Sequence, residues 1–256
     1  MDLFSVRNRR VLVTGATRGI GFALADGFAA AGAEVMLTAR GEAGLEDALQ
    51  TLRERYPEAI LHRMTMDVSD TNEVRRAMLE AVAIMGGIDT LINNAGQNIR
   101  KKAMDVLEQD WDAVVDTNLR GAFFVAQAAG RVMIEQGGGS IVNIASVGGQ
   151  VALRTGVAYA AAKAGLLHMT RVLAVEWATR NVRVNAIGPW YFRTPLTEKL
   201  LDDRDYLAEI LACTPMKRVG DVRELVGPAL FLASDAASYV TGQTLMVDGG
   251  MSVYGF

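Results

Sequence analysis

The sequence predicts a single doubly wound parallel α/β sheet of about seven strands, with helices on both faces. Three observations lead there. Short β-branched runs alternate with longer amphipathic stretches along the whole chain, with no linker, low-complexity tract or repeat between them. A glycine-rich turn joins the first apolar run to the first helical stretch. Each conspicuous polar motif falls just after a strand, and ligands of such sheets bind outside the carboxyl ends of the strands.

Arg10 to Gly15 is a short buried strand running into Thr14-Gly-Ala-Thr-Arg-Gly-Ile-Gly21, and a helix is expected over Phe22 to Ala31. Gly15, Gly19 and Gly21 suit a strand, a tight turn and a helix N-terminus, where backbone N–H groups and the helix dipole hold a pyrophosphate. The spacing is Gly-x3-Gly-x-Gly, and glycines alone also mark simple turns. Ala33 to Ala39 is the second strand, followed by Arg40. An acidic residue at that tip would bind the ribose 2′-hydroxyl of NAD. Here Thr38-Ala39-Arg40 offers no carboxylate, and Arg18 with Arg40 would grip a 2′-phosphate as guanidinium forks do. NADP(H) is therefore preferred, with NAD(H) kept open because Glu42 is close by and because two arginines can simply be exposed.

A helix over Glu42 to Tyr56 stops at Pro57, and Ala59 to Met66 is the third strand. Asp67 and Val68 sit at its tip, where a carboxylate would meet an adenine amine. Asp70 caps a helix to Met85, which Gly86-Gly87 breaks. The fourth strand, Ile88 to Ile92, runs into Asn93-Asn94-Ala95-Gly96, whose small and amide residues permit close approach to a ribose. Gln97 to Asp110 reads as an irregular polar loop carrying Arg100, Lys101 and Lys102, either a solvated loop or a greeting for an anionic substrate. Trp111 to Gln136 reads as one long helix carrying Asn118. Gly137-Gly138-Gly139 ends it, and the fifth strand runs from Ser140 to Ala145.

Ser146 closes that strand, and Thr155 to Arg180 is the helix bearing Tyr159 and Lys163 four residues apart, hence on one face. A free Tyr, with a pKa of about 10, exchanges protons poorly at neutral pH. A Lys ammonium at ~4 Å favours the phenolate by ~4 kcal/mol at an effective dielectric of ~20, before desolvation opposes it. Tyr159 is thus expected as a general acid/base with its pKa lowered by Lys163, and Ser146 as the group that hydrogen-bonds a substrate oxygen. A lone Tyr-x-x-x-Lys on an amphipathic helix is ordinary; its company in this chain is what gives it weight. The sixth strand is Val182 to Ile187, and Gly188-Pro189 opens a segment with a helix over Leu196 to Ala212. Asp221 to Ala233 is the last helix, and Gln243 to Val247 the last strand, before Asp248-Gly249-Gly250.

Composition excludes several classes. Half of the 256 residues are apolar and 21% charged, ordinary for a folded soluble domain. A net charge of −3 gives no basic footprint for nucleic acid or an acidic membrane. One cysteine, Cys213, leaves no internal disulfide or cysteine metal cluster, and His62 and His168 stand too far apart to suggest a zinc site. No metal is expected. The opening MDLFSVRNRRVLVTG lacks a signal-peptide apolar region, and no apolar run is long enough to span a bilayer. A cytoplasmic protein acting on a small molecule is the expectation.

Taken jointly, TGATRGIG at Thr14 to Gly21, NNAG at Asn93 to Gly96, Asn118, Ser146, Tyr159-x-x-x-Lys163 and VDGG at Val247 to Gly250 resemble the classical short-chain dehydrogenase/reductase family, over essentially the whole chain. The resemblance implies a Rossmann-type fold over residues 1–256 with a substrate lid at about 189–215. It implies that Tyr159 passes a proton to or from the substrate oxygen. Lys163 lowers its pKa and holds the nicotinamide ribose, Ser146 steadies the carbonyl, and Asn118 anchors a water behind Lys163. The cofactor would be held by Gly15, Thr17, Arg18, Gly19, Ile20 and Gly21, by Arg40, Asp67 and Val68, and by Asn94, Ala95 and Gly96. Pro189, Trp190, Phe192 and Thr194, with Tyr159 and Lys163, would hold its nicotinamide half. Relatives commonly form tetramers, so a homotetramer or homodimer paired through the helices of Asn118 and Tyr159 is implied.

One departure is Pro189-Trp190, where members usually carry Pro-Gly; Trp190 either walls the substrate pocket, weakens cofactor binding, or is a harmless exposed aromatic. The stretch Tyr191 to Thr197 and Arg100 are similar to gluconate 5-dehydrogenase-like members, so an alcohol/ketone oxidoreductase on a small sugar acid or polyol is expected, with Arg100, Ser146, Tyr159 and Trp190 facing the substrate. The alternative is a 3-oxoacyl-thioester (acyl-carrier-protein) reductase, which shares most of these motifs. A non-catalytic NADP(H) sensor has no need of the intact tetrad.

Overall fold

The computed structural model describes residues 2–255; Met1 and Phe256, the ends of the expected domain, lie outside the described residues. The seven expected strands are all present: β1 (Arg10–Thr14), β2 (Glu34–Ala39), β3 (Leu61–Thr65), β4 (Thr90–Asn93), β5 (Gly139–Ile144), β6 (Val182–Pro189) and β7 (Thr244–Val247). They form one parallel sheet in the order β3-β2-β1-β4-β5-β6-β7. The order reverses between β1 and β4, and that switch point opens a crevice at the carboxyl ends of the strands.

Alternation along β1 explains the two helical layers. Val11 and Val13 face one apolar core, and Leu12 faces another. The first core takes Leu24 and Phe28 of α1 (Gly19–Ala30), Leu45 and Leu49 of α2 (Glu42–Arg55) and Leu232 of the last helix, Val226–Ala233. The second takes Val74 and Met78 of α3 (Thr71–Met85), with Met133 and Leu173 from two later helices. Asp70 caps α3 by accepting from the N–H groups of Asn72 and Glu73, as its position before the helix suggests.

Six expected elements have corrected boundaries. Helix α1 begins at Gly19 rather than Phe22, so the last two glycines of the turn belong to its first turn. The expected 111–136 helix begins earlier and is interrupted: α4 (Glu108–Val115) passes through a π-helical turn, Asp116–Gly121, into α5 (Ala122–Glu135). The helix bearing the Tyr and Lys, α6, spans Val157–Trp177, and β6 extends two residues further than expected, to Pro189. The expected 196–212 helix is two pieces, α7 (Glu198–Leu201) and α8 (Arg204–Ala212), because Asp203 caps the second by accepting from Asp205 and Tyr206 N–H. The final helix, α9, spans Val226–Ala233 and is entered through a 3₁₀ turn, Val222–Leu225.

A buried polar chain fixes α6 against the sheet. Asn93 Nδ2 donates to Asn143 Oδ1 at 3.0 Å, and Asn143 Nδ2 donates to Thr170 Oγ1 at 2.9 Å. Interior amides joined in this way help set one register for the elements they link.

Candidate active site

The switch-point crevice has a volume of about 690 Å³ and runs from Arg40 to Trp190. At its centre Gly15 and Gly19 have φ of +65° and +58°, the left-handed region that glycine adopts freely. Gly21 is required by space instead. A Cβ there would stand 2.2 Å from the Gly15 carbonyl oxygen and 2.5 Å from Asn94 Nδ2. The N-terminus of α1 is thereby drawn onto the end of β1, with Thr17, Arg18 and Ile20 around it in the crevice wall. Thr14 ties in the neighbouring strand: its Oγ1 accepts from the N–H of Asn94 and of Ala95, each at 2.9 Å.

At one end stand Arg18 and Arg40, both exposed, neither making an ion pair among the described residues. Glu42, which left the 2′-hydroxyl reading open, turns away: it pairs with Arg63 at 3.2 Å and does not line the crevice. Asp67 and Val68 line the wall beside Arg40; one oxygen of Asp67 accepts from Ser69 N–H and hydroxyl.

At the other end Ser146, Tyr159, Lys163 and Asn118 converge, with Gly96, Pro189, Phe192 and Thr194 nearby. Ser146 follows β5, and its Oγ accepts from Gly148 N–H at 3.0 Å. The expected Lys163–Tyr159 coupling is corrected. Lys163 Nζ lies 5.7 Å from the centroid of the Tyr159 ring and donates to the Ile144 carbonyl at 2.7 Å. Burial therefore dominates the phenol and pushes its pKa up, opposed by the hydrogen bond with Ser146 and by the charge of Arg100. Burial brings the Lys163 ammonium down to about 8. Asn118 sits in the π-helical turn, where its Nδ2 donates to the Gln97 and Val114 carbonyls, each at 2.7 Å. Its buried Oδ1 has no partner among the described residues. A π turn inside an α-helix re-aims one side chain, a device frequent at functional sites.

Every residue expected to bind the cofactor, react or face the substrate lines this crevice except Arg100, whereas Val247 to Gly250 line a second cavity. Arg100 lies beside it: its charge reaches Tyr159, while its Nη1 contacts the hydroxyls of Tyr191 and Tyr206 at 3.4 and 3.3 Å. Trp190 is no free surface aromatic. Its Nε1 donates to the buried Thr214 hydroxyl at 2.9 Å, and the ring forms part of both the crevice and a second cavity of about 400 Å³. Sequence reading missed Gln97 and Thr117, which also line the crevice and bond each other at 2.9 Å. It also missed Tyr206, whose only signal was a second tyrosine in a segment already read as a lid.

Among the described residues no helix is long and apolar enough to cross a membrane, and no cluster of His, Cys, Asp and Glu could hold a metal ion. Residues 15–252 match the family model described as Enoyl-(Acyl carrier protein) reductase. The chain is similar to a gluconate 5-dehydrogenase of Gluconobacter oxydans (strain 621H), 42% identical over 98% of each chain. It is 36% identical to a 5-keto-D-gluconate 5-reductase of Escherichia coli (strain K12), again over 98% of each. The solved structure of a gluconate 5-dehydrogenase from Burkholderia cenocepacia J2315, in complex with NADP and tartrate, is 39% identical; it covers 99% of this chain and 98% of its own, with a TM-score of 0.95.

Proposed function

The chain belongs to the short-chain dehydrogenase/reductase family, and we propose that it interconverts a secondary alcohol and a ketone on a small sugar acid or polyol, with NADP(H). The convergence of Tyr159, Ser146 and Lys163 at one end of a dinucleotide-sized crevice carries the reading. Residues 1–256 act as one catalytic domain with 189–215 as its lid, in the cytoplasm, as a homotetramer or homodimer.

The residues present fit the cofactor. Close packing at Gly15 and Gly21 draws the N-terminus of α1 onto the end of β1 in the crevice wall, where a pyrophosphate would meet its N–H groups. Arg18 and Arg40, lacking carboxylate partners, suit a 2′-phosphate. When bound, the nicotinamide supplies or accepts the hydride. The chain's own groups handle the proton. Because burial raises the Tyr159 pKa, the phenol is protonated at neutral pH and stands ready to donate to a carbonyl oxygen as negative charge develops there. The Ser146 hydroxyl fixes that oxygen, and the nearby ammonium of Lys163 stabilises the phenolate left behind. Alcohol oxidation needs the deprotonated phenol, so it should gain with rising pH while ketone reduction declines.

Arg100 supports an acidic substrate, since a guanidinium beside Tyr159 with no carboxylate partner suits one. Purified protein should oxidise NADPH faster with 5-keto-D-gluconate than with an acetoacetyl thioester, and faster than it oxidises NADH. Turnover of the thioester alone would replace this reading with a 3-oxoacyl-thioester reductase. Tyr159→Phe should lose at least a hundredfold in kcat yet still bind NADPH by fluorescence titration. A protein that binds NADPH and turns over no ketone even as wild type would instead be a sensor.

A further inference from the structure

The hydroxyls of Tyr191 and Tyr206 stand 2.6 Å apart, and Arg100 Nη1 reaches both. These three side chains come from three places: the segment after β4, the residue after Trp190, and the lid helix α8. A guanidinium only donates, and one phenolic proton is used between the two tyrosines. The other phenolic proton has no acceptor among the described residues, and neither tyrosine hydroxyl bonds anything else. Among the described residues Arg100 makes only long contacts, to these phenols and to the Arg154 carbonyl at 3.5 Å, where ionised pairs close to about 2.7–2.9 Å. The nearby carboxylate, Glu209, is taken by Arg154. Burial pushes the Tyr191 phenol up, so it keeps its proton at neutral pH.

The cluster is thus rich in donors and short of acceptors. It also adjoins the reacting end of the crevice: the charge of Arg100 reaches Tyr159, and Trp190, in the crevice wall, packs edge-on against Tyr191 at 4.7 Å. Resting on the sugar-acid reading above, we propose that Tyr191 and Tyr206 are specificity-determining residues which, with Arg100, form a donor-only subsite for the substrate carboxylate. Tyr206 is the lid's own contribution, so the lid helix recognises the acid group directly. The carboxylate would accept a hydrogen bond from the phenol with the spare proton and draw the guanidinium into a charge-assisted bond.

The test compares 5-keto-D-gluconate with L-sorbose, which has a hydroxymethyl group in place of the carboxylate. In Tyr206→Phe and in Tyr191→Phe, the ratio of kcat/KM for the acid to that for the sugar should fall about tenfold or more, through KM, as one hydrogen bond to a charged group requires. Glu209→Gln loosens the same helix, by breaking its ion pair with Arg154, without deleting a guanidinium or a phenol, and should not lower that ratio. An unchanged ratio in both tyrosine variants overturns the proposal. So does an equal fall in Glu209→Gln, which would make the phenols lid packing alone. Calorimetry of D-gluconate against D-sorbitol on the NADP-loaded protein separates the two levels of inference. If wild type turns over neither ketone but binds gluconate preferentially, and Tyr206→Phe loses that preference, the subsite stands and the assigned reaction falls. If wild type turns over the acid with no preference for gluconate over sorbitol, the reaction stands and the subsite falls.

Discussion

Lys163 illustrates how far a spacing can be read. Four residues on a helix put it on the same face as Tyr159, and both do line the crevice. Spacing does not set the rotamer, and the buried Ile144 carbonyl competes for the ammonium and holds it at 2.7 Å. The result is a buried cation whose pKa drops from 10.5 to about 8. Between those values the unfolded chain keeps a proton that the folded chain has released. Stability therefore rises as pH climbs from about 8 to about 10.5, and the full deficit, on the order of 3 kcal/mol, applies below 8. Lys163→Met should thus melt higher than wild type at pH 7, with the gap narrowing towards pH 10, even though turnover is lost. The lost bond to Ile144 offsets part of the gain; a variant that melts lower at pH 7 would mean that this bond outweighs desolvation. Arg100 was legible as a cation near the site, but its phenolic company was not, because Tyr191 and Tyr206 are brought to it by tertiary folding.

Elements were legible where composition and boundary residues agree. The β-branched runs gave all seven strands, and Asp70 marked its helix start correctly. The π-helical turn at Asp116–Gly121 was not legible, because apolar residues on both sides keep a helical rhythm and one inserted residue is lost within it. The lid helix was read as one piece although Asp203, with free N–H groups following it, carried a capping signal. The glycine turn was placed correctly, but its glycines serve different ends: Gly15 and Gly19 supply backbone conformation, and Gly21 supplies close approach of α1 to β1 and Asn94. Gly21→Ala should force that junction apart. We expect a loss of about 1–3 kcal/mol in urea unfolding together with weakened NADPH binding. Unfolding equal to wild type would mean that the helix shifts without cost.

At the scale of the molecule, the sheet is covered on both faces, which accounts for the near-continuous apolar strands in the sequence. Among the apolar side chains left outside, some lie on the surface of α6 and the adjoining α4: Val172 and Val175 are exposed at 43% and 80%, and Trp111 at 39%. This surface suits the proposed pairing through the long helices. Val175→Asp should lower the molar mass measured by light scattering, and an unchanged mass would place the interface elsewhere. The sheet has a further consequence for the chain as a covalent object. The proposed lid lies between β6 and β7, and these two strands pair with each other from Ala186–Thr244 to Pro189–Val247. Arg193, Lys199 and Arg204 are all exposed within the lid. Trypsin cutting there would sever the chain yet leave both fragments held in one sheet, so a nicked protein would keep its secondary structure and its dinucleotide crevice while losing command of its lid.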